Sequence, residues 1–328
     1  MENVRIPRRT ALATGLAAIV PLRGARAQQY PDRPIKWIVA YAAGGGTDTL
    51  ARVLGAAMSP KLSQPVVIDN RPGAATNIGA EATAKATPDG YTVFSADNGT
   101  LVFNPALFRR LPYDPERDFR PIGLMARFPL VLTAKHSSTF KAAPDLVEGA
   151  KAKPGQIDYG SPGVGSPHHL TMERLSKEAG VRFNHVPYRG ASPALNDLLA
   201  GTFESMILDL PSGAEYLRSG RVKPLAICSA ARHPDLPDVP TVQEALGLRG
   251  FEAYAWQGLV VPARTPDAVA NRLTAELAAA VRDQSVTDKM RGIGLEPLTG
   301  GPDEFKALIE AERSIWVPLI KERGITLD

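Results

Sequence analysis

The stretch IKWIVAYAAGGGTDTLARVLGAAM, residues 35–58, decides how the chain is read. Ile35, Trp37, Ile38, Val39 and Tyr41 form a β-rich apolar run, and Gly44, Gly45 and Gly46 break it. Thr47 and Asp48 follow, and then Leu50, Val53, Leu54, Ala57 and Met58 recur at helical spacing. The pattern predicts a strand, a tight glycine loop and a helix start. Glycine admits positive φ and lets a ligand approach the main chain. The first amides of a helix lack an intrahelical partner and sit at the positive end of its dipole. Such a corner suits an anion. For one glycine run taken alone, a plain βα turn is the alternative reading.

A second corner of the same kind follows at residues 157–175, IDYGSPGVGSPHHLTMERL. A short strand through Ile157 and Tyr159 runs into Gly160, Ser161, Gly163, Gly165 and Ser166. Ser166 is a good N-cap and Pro167 suits the first helical position. Neither residues 41–51 nor residues 159–171 contain a lysine or arginine. An anion held there would be held by main-chain N–H groups and by Thr47, Ser161 and Ser166. That chemistry suits a carboxylate and reversible capture, with a dianion clamped between two lobes.

Rival motifs fail on spacing. Residues 44–47 lack the lysine of a phosphate-binding P-loop and the G-x-G-x-x-G of a dinucleotide site. Ser161 lacks the glycine two residues before it that a hydrolase nucleophile elbow needs. His168 and His169 are adjacent and leave a helix on different sides, so one packs and the other faces cleft or solvent. Glu173, four after His169, keeps a metal or acid–base role open. Asp48 lies in a first helical turn, where a capping carboxylate is favoured; facing a cleft, it would repel an acid or bind a hydroxyl or ammonium.

The remaining pattern is α/β. Residues 66–68 and 91–95 read as strands around an alanine-rich helix over 77–86, and this alternation argues for a parallel sheet covered by helices. Residues 104–121, rich in proline and charge, read as a surface excursion. Residues 122–133 read as a long strand crossing between lobes, and 222–230 as the return. Helices are expected over 144–152, from Ser192-Pro193 to Gly201, from a capping box at Thr241 and Glu244, from Thr265-Pro266, and from Pro302, this last one bent or ended at Pro318.

Residues 1–27 have the form of an export signal: Arg5, Arg8 and Arg9, a short apolar core, then Ala25-Arg26-Ala27. Arg8-Arg9 leaves both the twin-arginine and the general secretory routes open. This segment carries five of the 38 Lys and Arg and one of the 34 Asp and Glu, so the rest is balanced at 33 against 33. The mature composition therefore gives no reason to expect nucleic acid as a partner. The single cysteine, Cys228, rules out a disulfide framework and reads as a buried strand residue.

Five runs carry a resemblance: VAYAAGGGTDTLAR (39–52), DNRPGAATNIGAEATAKATPDGYT (69–92), KAKPGQIDYGSPGVGSPHHL (151–170), HVPYRGASPALNDLLAG (185–201) and LPDVPTVQEA (236–245). In this order they resemble the Bug receptors, the periplasmic substrate-binding proteins of tripartite tricarboxylate transporters. The resemblance implies a type II periplasmic-binding-protein (Venus-flytrap) fold of two α/β lobes joined by crossover strands. Lobe 1 would comprise 28–126 and 230–328, and lobe 2 would comprise 127–229. It also implies a monomer serving the permease subunits of such a transporter and binding a mono-, di- or tricarboxylate, with no catalysis, cofactor or metal. The family's first ligand loop falls on Ala43, Gly44, Gly45, Gly46, Thr47 and Asp48. Its second falls on Ser161, Gly163, Val164, Gly165 and Ser166, with His169 opening the next helix. Asn98, Thr100, Tyr188, Gly190 and Asp209 would line the cleft further. The chain departs from the family at Tyr41-Ala42, where Phe-Pro is commoner, at Ala75-Thr76, where a glycine pair is usual, and at Asp97, an added acid. An exported enzyme using His169, Asp48 or Asp209, or a ligand sensor for a signalling partner, are the alternative functions.

Overall fold

The computed structural model describes residues 30–327, and the export signal expected over 1–27 lies outside them. The chain opens with β1 (Ile35–Val39), α1 (Gly46–Leu62), β2 (Val66–Asn70), α2 (Asn77–Ala84) and β3 (Thr92–Asp97). β1 pairs in parallel with β2 and with β3. Trp37 and Val39 face one side and Ile38 the other, and all three are buried, as expected of a parallel strand with helices on both faces.

A π-helical turn (Gly99–Phe103), α3 (Asn104–Leu107) and α4 (Pro115–Asp118) lead into β4 (Phe119–Lys135). Here the surface excursion expected over 104–121 is corrected: Asn104, Leu107, Tyr113 and Phe119 are buried. The prolines set turns, and the polar Asn104 is tolerated inside because its amide group reaches Ala75 O, Asn77 Oδ1 and the Tyr113 hydroxyl.

β4 is the expected crossing strand. From Phe119 to Pro129 it pairs antiparallel with β9 (Tyr254–Pro262), and β10 (Glu296–Pro297) lies on its other side. From Leu130 onward it pairs with β7 (Ser205–Asp209), and from Val131 with β8 (Val222–Ile227). The first sheet therefore runs β2-β1-β3-β9-β4. The second continues from β4 through β7 to β5 (Asp158–Ser161) and β6 (Asn184–Pro187), the last two in parallel.

The second sheet is wrapped by α5 (Ala143–Ala152), α6 (Pro167–Glu178), α7 (Ala191–Ala200) and α8 (Leu210–Arg218). β8 is not the return crossing, because its whole length pairs with β4 inside the second sheet. The chain returns through α9 (Val242–Leu246) to β9, a strand the sequence reading passed over. α10 (Asp267–Arg282), α11 (Gln284–Gly292) and α12 (Pro302–Glu322) complete the fold. α11 was not anticipated, and α12 continues past Pro318. Cys228 is buried beside β4, and desolvation pushes its thiol up to about 12. No helix among the described residues is long and apolar enough to cross a membrane.

One apolar cluster joins the two sheets beneath α12, with Trp256, Phe305 and Trp316 at its centre. Phe305 packs edge-on to Trp256, their ring centroids 5.6 Å apart, and its ring lies over Gly258 in the middle of β9. A Cβ at Gly258 would stand 2.2 Å from Phe305 Cζ, so the strand needs a residue with no side chain there. Gly258→Ala is expected to destabilise the protein by about 3 kcal/mol through overpacking. Denaturant unfolding should register this as a lower midpoint with an unchanged slope.

Candidate functional site

Both glycine corners stand at the carboxyl ends of parallel strands, where open α/β sheets place their ligands. Both also lie on the seam between the lobes. A Cβ built on Gly46 would meet Pro211 Cβ at 3.3 Å and Phe128 Cε1 at 3.0 Å, so α1 enters the seam against the start of α8. Two residues before Pro211, Asp209 Oδ2 lies 2.9 Å from His168 Nε2, on the first turn of α6. In turn, a Cβ on Gly165 would lie 2.5 Å from Leu107 Cδ1, so the second corner packs against α3 of the first lobe. The two helix entrances thus neighbour one another through Pro211, Asp209 and His168.

The first corner is held by Asp48, which is 2 % exposed. Its carboxylate accepts from the Gly44 amide at 2.9 Å, from Arg52 Nε and Nη2 at 2.9 and 3.0 Å, and from Asn70 Nδ2 at 2.9 Å. Burial alone would raise its pKa, but hydrogen bonds from Arg52, Gly44 and Asn70 prevail and hold it below the usual carboxylate range. Both oxygens are hydrogen-bonded within the fold, so Asp48 shapes the loop. The sequence window that lacked a cation ends one residue short of Arg52, whose charge that carboxylate balances. Gly46 and Thr47 open α1, so their amides have no intrahelical acceptor.

The second corner is held in the same way. Ser161 Oγ accepts from the Gly163 amide at 3.2 Å and lies 2.7 Å from His185 Nε2. Ser166 Oγ donates to Gly163 O at 2.8 Å and accepts from the His169 amide at 3.2 Å, capping α6. The Gly165 amide donates to His169 Nδ1 at 3.1 Å. Both serine hydroxyls are therefore engaged inside the loop. His168 is the second residue of α6, so its amide has no intrahelical acceptor.

His169 is buried, its ring stacked on His185 with centroids 3.9 Å apart, and Tyr159 stacks on His185 in turn at 4.8 Å. Expected as a cleft residue, His169 instead packs and fixes the loop through Nδ1. His168 is the histidine that reaches Asp209. Burial lowers Asp209's affinity for its charge, but the His168 bond and the Ser212 bonds outweigh it and depress its pKa. The helical phase of this pair is fixed by the Ser166 cap, which the adjacency of the two histidines does not reveal.

Other expected residues also serve the fold. Thr100 donates to Asp97 Oδ1 at 2.7 Å and pairs with Thr76 Oγ1 at 2.8 Å. Tyr188 donates to Asp197 Oδ2 at 2.7 Å, and the Gly190 amide to Pro162 O at 2.9 Å. Asn98 is fully buried: its Nδ2 donates to Tyr254 O at 3.1 Å and its Oδ1 has no partner. Two departures from the family pattern bind each other, the Tyr41 hydroxyl donating to Asp97 Oδ2. Ala74, Ala75 and Thr76 take φ of 48°, 48° and 75°, left-handed backbone costing about 1 kcal/mol or more per residue. This explains why glycines suit that place, and Asn104 and Thr100 hold the strained loop here.

The architecture is that of a two-lobed binding protein with its candidate site on the interlobe seam. Residues 50–325 match the tripartite tricarboxylate transporter family receptor, TctC. The chain belongs to this family. It is 38 % identical over 324 residues to the UPF0065 protein of the tcbD-tcbE intergenic region of Pseudomonas sp. strain P51, covering 98 % of this chain and 96 % of that one. It is 34 % identical over 302 residues to BugT of Bordetella pertussis strain Tohama I, covering 92 % of each. Among solved structures, R. palustris Rpa4515 with adipate superposes with a TM-score of 0.84 at 36 % identity, covering 90 % of this chain and 99 % of that one. MatC (Rpa3494) from Rhodopseudomonas palustris with bound malate gives 0.80 at 32 % identity, covering 89 % and 100 %.

The histidine stack makes the second corner sensitive to acid. Burial, with the charge of His185 second, lowers His169 to about 3, and burial lowers His185 to about 4. Unfolded, each takes up a proton below about 6.5. Between those values the unfolded chain binds protons that the folded one does not, so stability falls as pH falls. Thermal unfolding measured from pH 7 to 4.5 should lose roughly 2.5 kcal/mol from His169 alone, the less buried His185 adding to it, with a shallower dependence in His169→Gln.

Proposed function

We propose that this chain is a periplasmic solute receptor whose lobes close on a small carboxylated metabolite and deliver it to the permease subunits of a tripartite tricarboxylate-type membrane transporter. The reading is carried by the two helix entrances on one seam, with no lysine or arginine in residues 41–51 or 159–171. Adipate in Rpa4515 and malate in MatC are both dicarboxylates, which supports one carboxylate at each entrance. Gly45, Gly46 and Thr47 would hold one, and Val164 with the His168 amide the other. Neutral amides at a helix N-terminus bind an anion without the tight bidentate grip of a guanidinium, which suits a carrier that must release its cargo.

On this reading the lobes are 28–126 with 230–328, and 127–229; β4 exchanging partners between Pro129 and Leu130 supports that division. The protein acts as a monomer, by binding alone, and residues 1–27 direct it to the periplasm.

Calorimetry and thermal shift against short mono-, di- and tricarboxylates and neutral analogues test the proposal. We expect saturable, equimolar binding of a dicarboxylate, with the acid recovered unchanged. At a free concentration about a hundred times Kd, it should stabilise the fold by about 2.7 kcal/mol. Stabilisation by a different ligand class with none from any organic acid, or turnover of the bound acid, would refute it.

A further inference from the structure

β9 brings one polar side chain to the first corner that neither sequence nor family pattern assigned. Gln257 is 3 % exposed and pairs with Asp97 of β3 on one side and Ala126 of β4 on the other. Its Nε2 lies 3.3 Å from Oγ1 of Thr47, the second residue of α1, and its Oε1 is buried without a partner. A buried amide atom left unpaired is costly, and native folds leave few of them. The two ends of an amide are nearly isosteric, and a threonine hydroxyl both donates and accepts. Turning the amide over lets Thr47 donate to Oε1 and leaves the NH2 group as the end without a partner.

The surroundings favour that second arrangement once an anion is seated. Asp48 is tied to Gly44, Arg52 and Asn70, and Asp97 to Tyr41 and Thr100, so the nearby carboxylates have their hydrogen bonds elsewhere. A carboxylate oxygen held at the positive end of α1 would supply the acceptor that this NH2 group lacks.

We propose that Gln257 is a specificity-determining residue: its NH2 group takes as its missing partner a carboxylate oxygen seated at the α1 entrance. It thereby selects acids with a second carboxylate over chains that end in a methyl group. The inference rests on the receptor reading above and adds which residue reads that end of the ligand.

The test measures binding of adipate and of hexanoate, its monocarboxylate of equal chain length, to the wild-type protein and to Gln257→Leu. The wild-type protein should prefer adipate. The variant should lose about 10- to 100-fold in adipate affinity while its hexanoate affinity holds within about threefold. A packing role alone would weaken both ligands together and lower the melting temperature to match. Equal losses, or adipate affinity left intact, overturn the proposal. If Gln257→Leu does not fold, Thr47→Val releases the amide from its anchor and should give a smaller loss, still confined to adipate; an unselective loss overturns it. A wild-type protein that binds neither acid nor any other carboxylate overturns the receptor reading and this proposal with it. Carboxylate binding with no preference for the second acid group overturns this proposal alone.

Discussion

Strand β4 is hydrogen-bonded into both sheets, and that shared backbone constrains everything else in the molecule. Its N–H and C=O groups are met by β9 over the first part and by β7 and β8 over the last, so neither sheet turns independently of it. Its pairing register shifts near Pro121, Leu124 and Leu132, and such irregularities bend and twist a strand. With β1 and β5 locked to the two sheets, the loops at their carboxyl ends are brought to one seam. The cluster around Trp256, Phe305 and Trp316, roofed by α12, holds the lobes together on the side where they join.

The two corners solve the same problem with different residues. A loop that exposes amides to a ligand must be stiff without using those amides. In the first corner Asp48 does this from within α1, clasping Gly44, and Arg52 with Asn70 balances the buried charge. In the second, Ser161, Ser166 and His169 clasp Gly163 and Gly165, and no charge is involved. In each case side chains that look like ligand contacts hold the loop, and on the receptor reading the main chain is what meets the ligand. Donors fixed in advance bind without an ordering cost at the moment of capture.

This division explains what the sequence disclosed and what it hid. The corners were legible because strand, glycine run and cap are local features. β4 was legible because a long apolar strand needs no partner to be recognised. β9 was not: Gln257 and Gly258 interrupt its apolar run, and its partners Asp97 and Ala126 lie more than a hundred residues away in the chain. Losing β9 also lost Gln257. Residues 104–121 misled because proline and charge mark turns, while burial there depends on Asn104 finding its partners. Asp48, His169 and Thr100 read as lining the cleft, and each has a polar atom hydrogen-bonded within the fold, because composition does not say which way a polar atom is turned.

Tyr41 and Asp97 carry that argument furthest. Read separately, the aromatic before the first glycines threatens the loop, and the acid beside the cleft threatens the ligand's charge. Joined, each removes the other's difficulty. The Tyr41 hydroxyl takes one carboxylate oxygen while the Thr100 amide and hydroxyl take the second. Thr100 passes the connection on to Thr76 in the strained turn before α2. Burial, followed by the charge of Asp97, drives the tyrosine's pKa well above its ordinary value, so the hydroxyl remains a donor throughout the physiological range. Tyr41, Asp97, Thr100 and Thr76 thus form one connected polar chain in the first lobe. Both oxygens of Asp97 receive donors of the first lobe itself, so the acid that composition placed beside the cleft has a structural use in the fold.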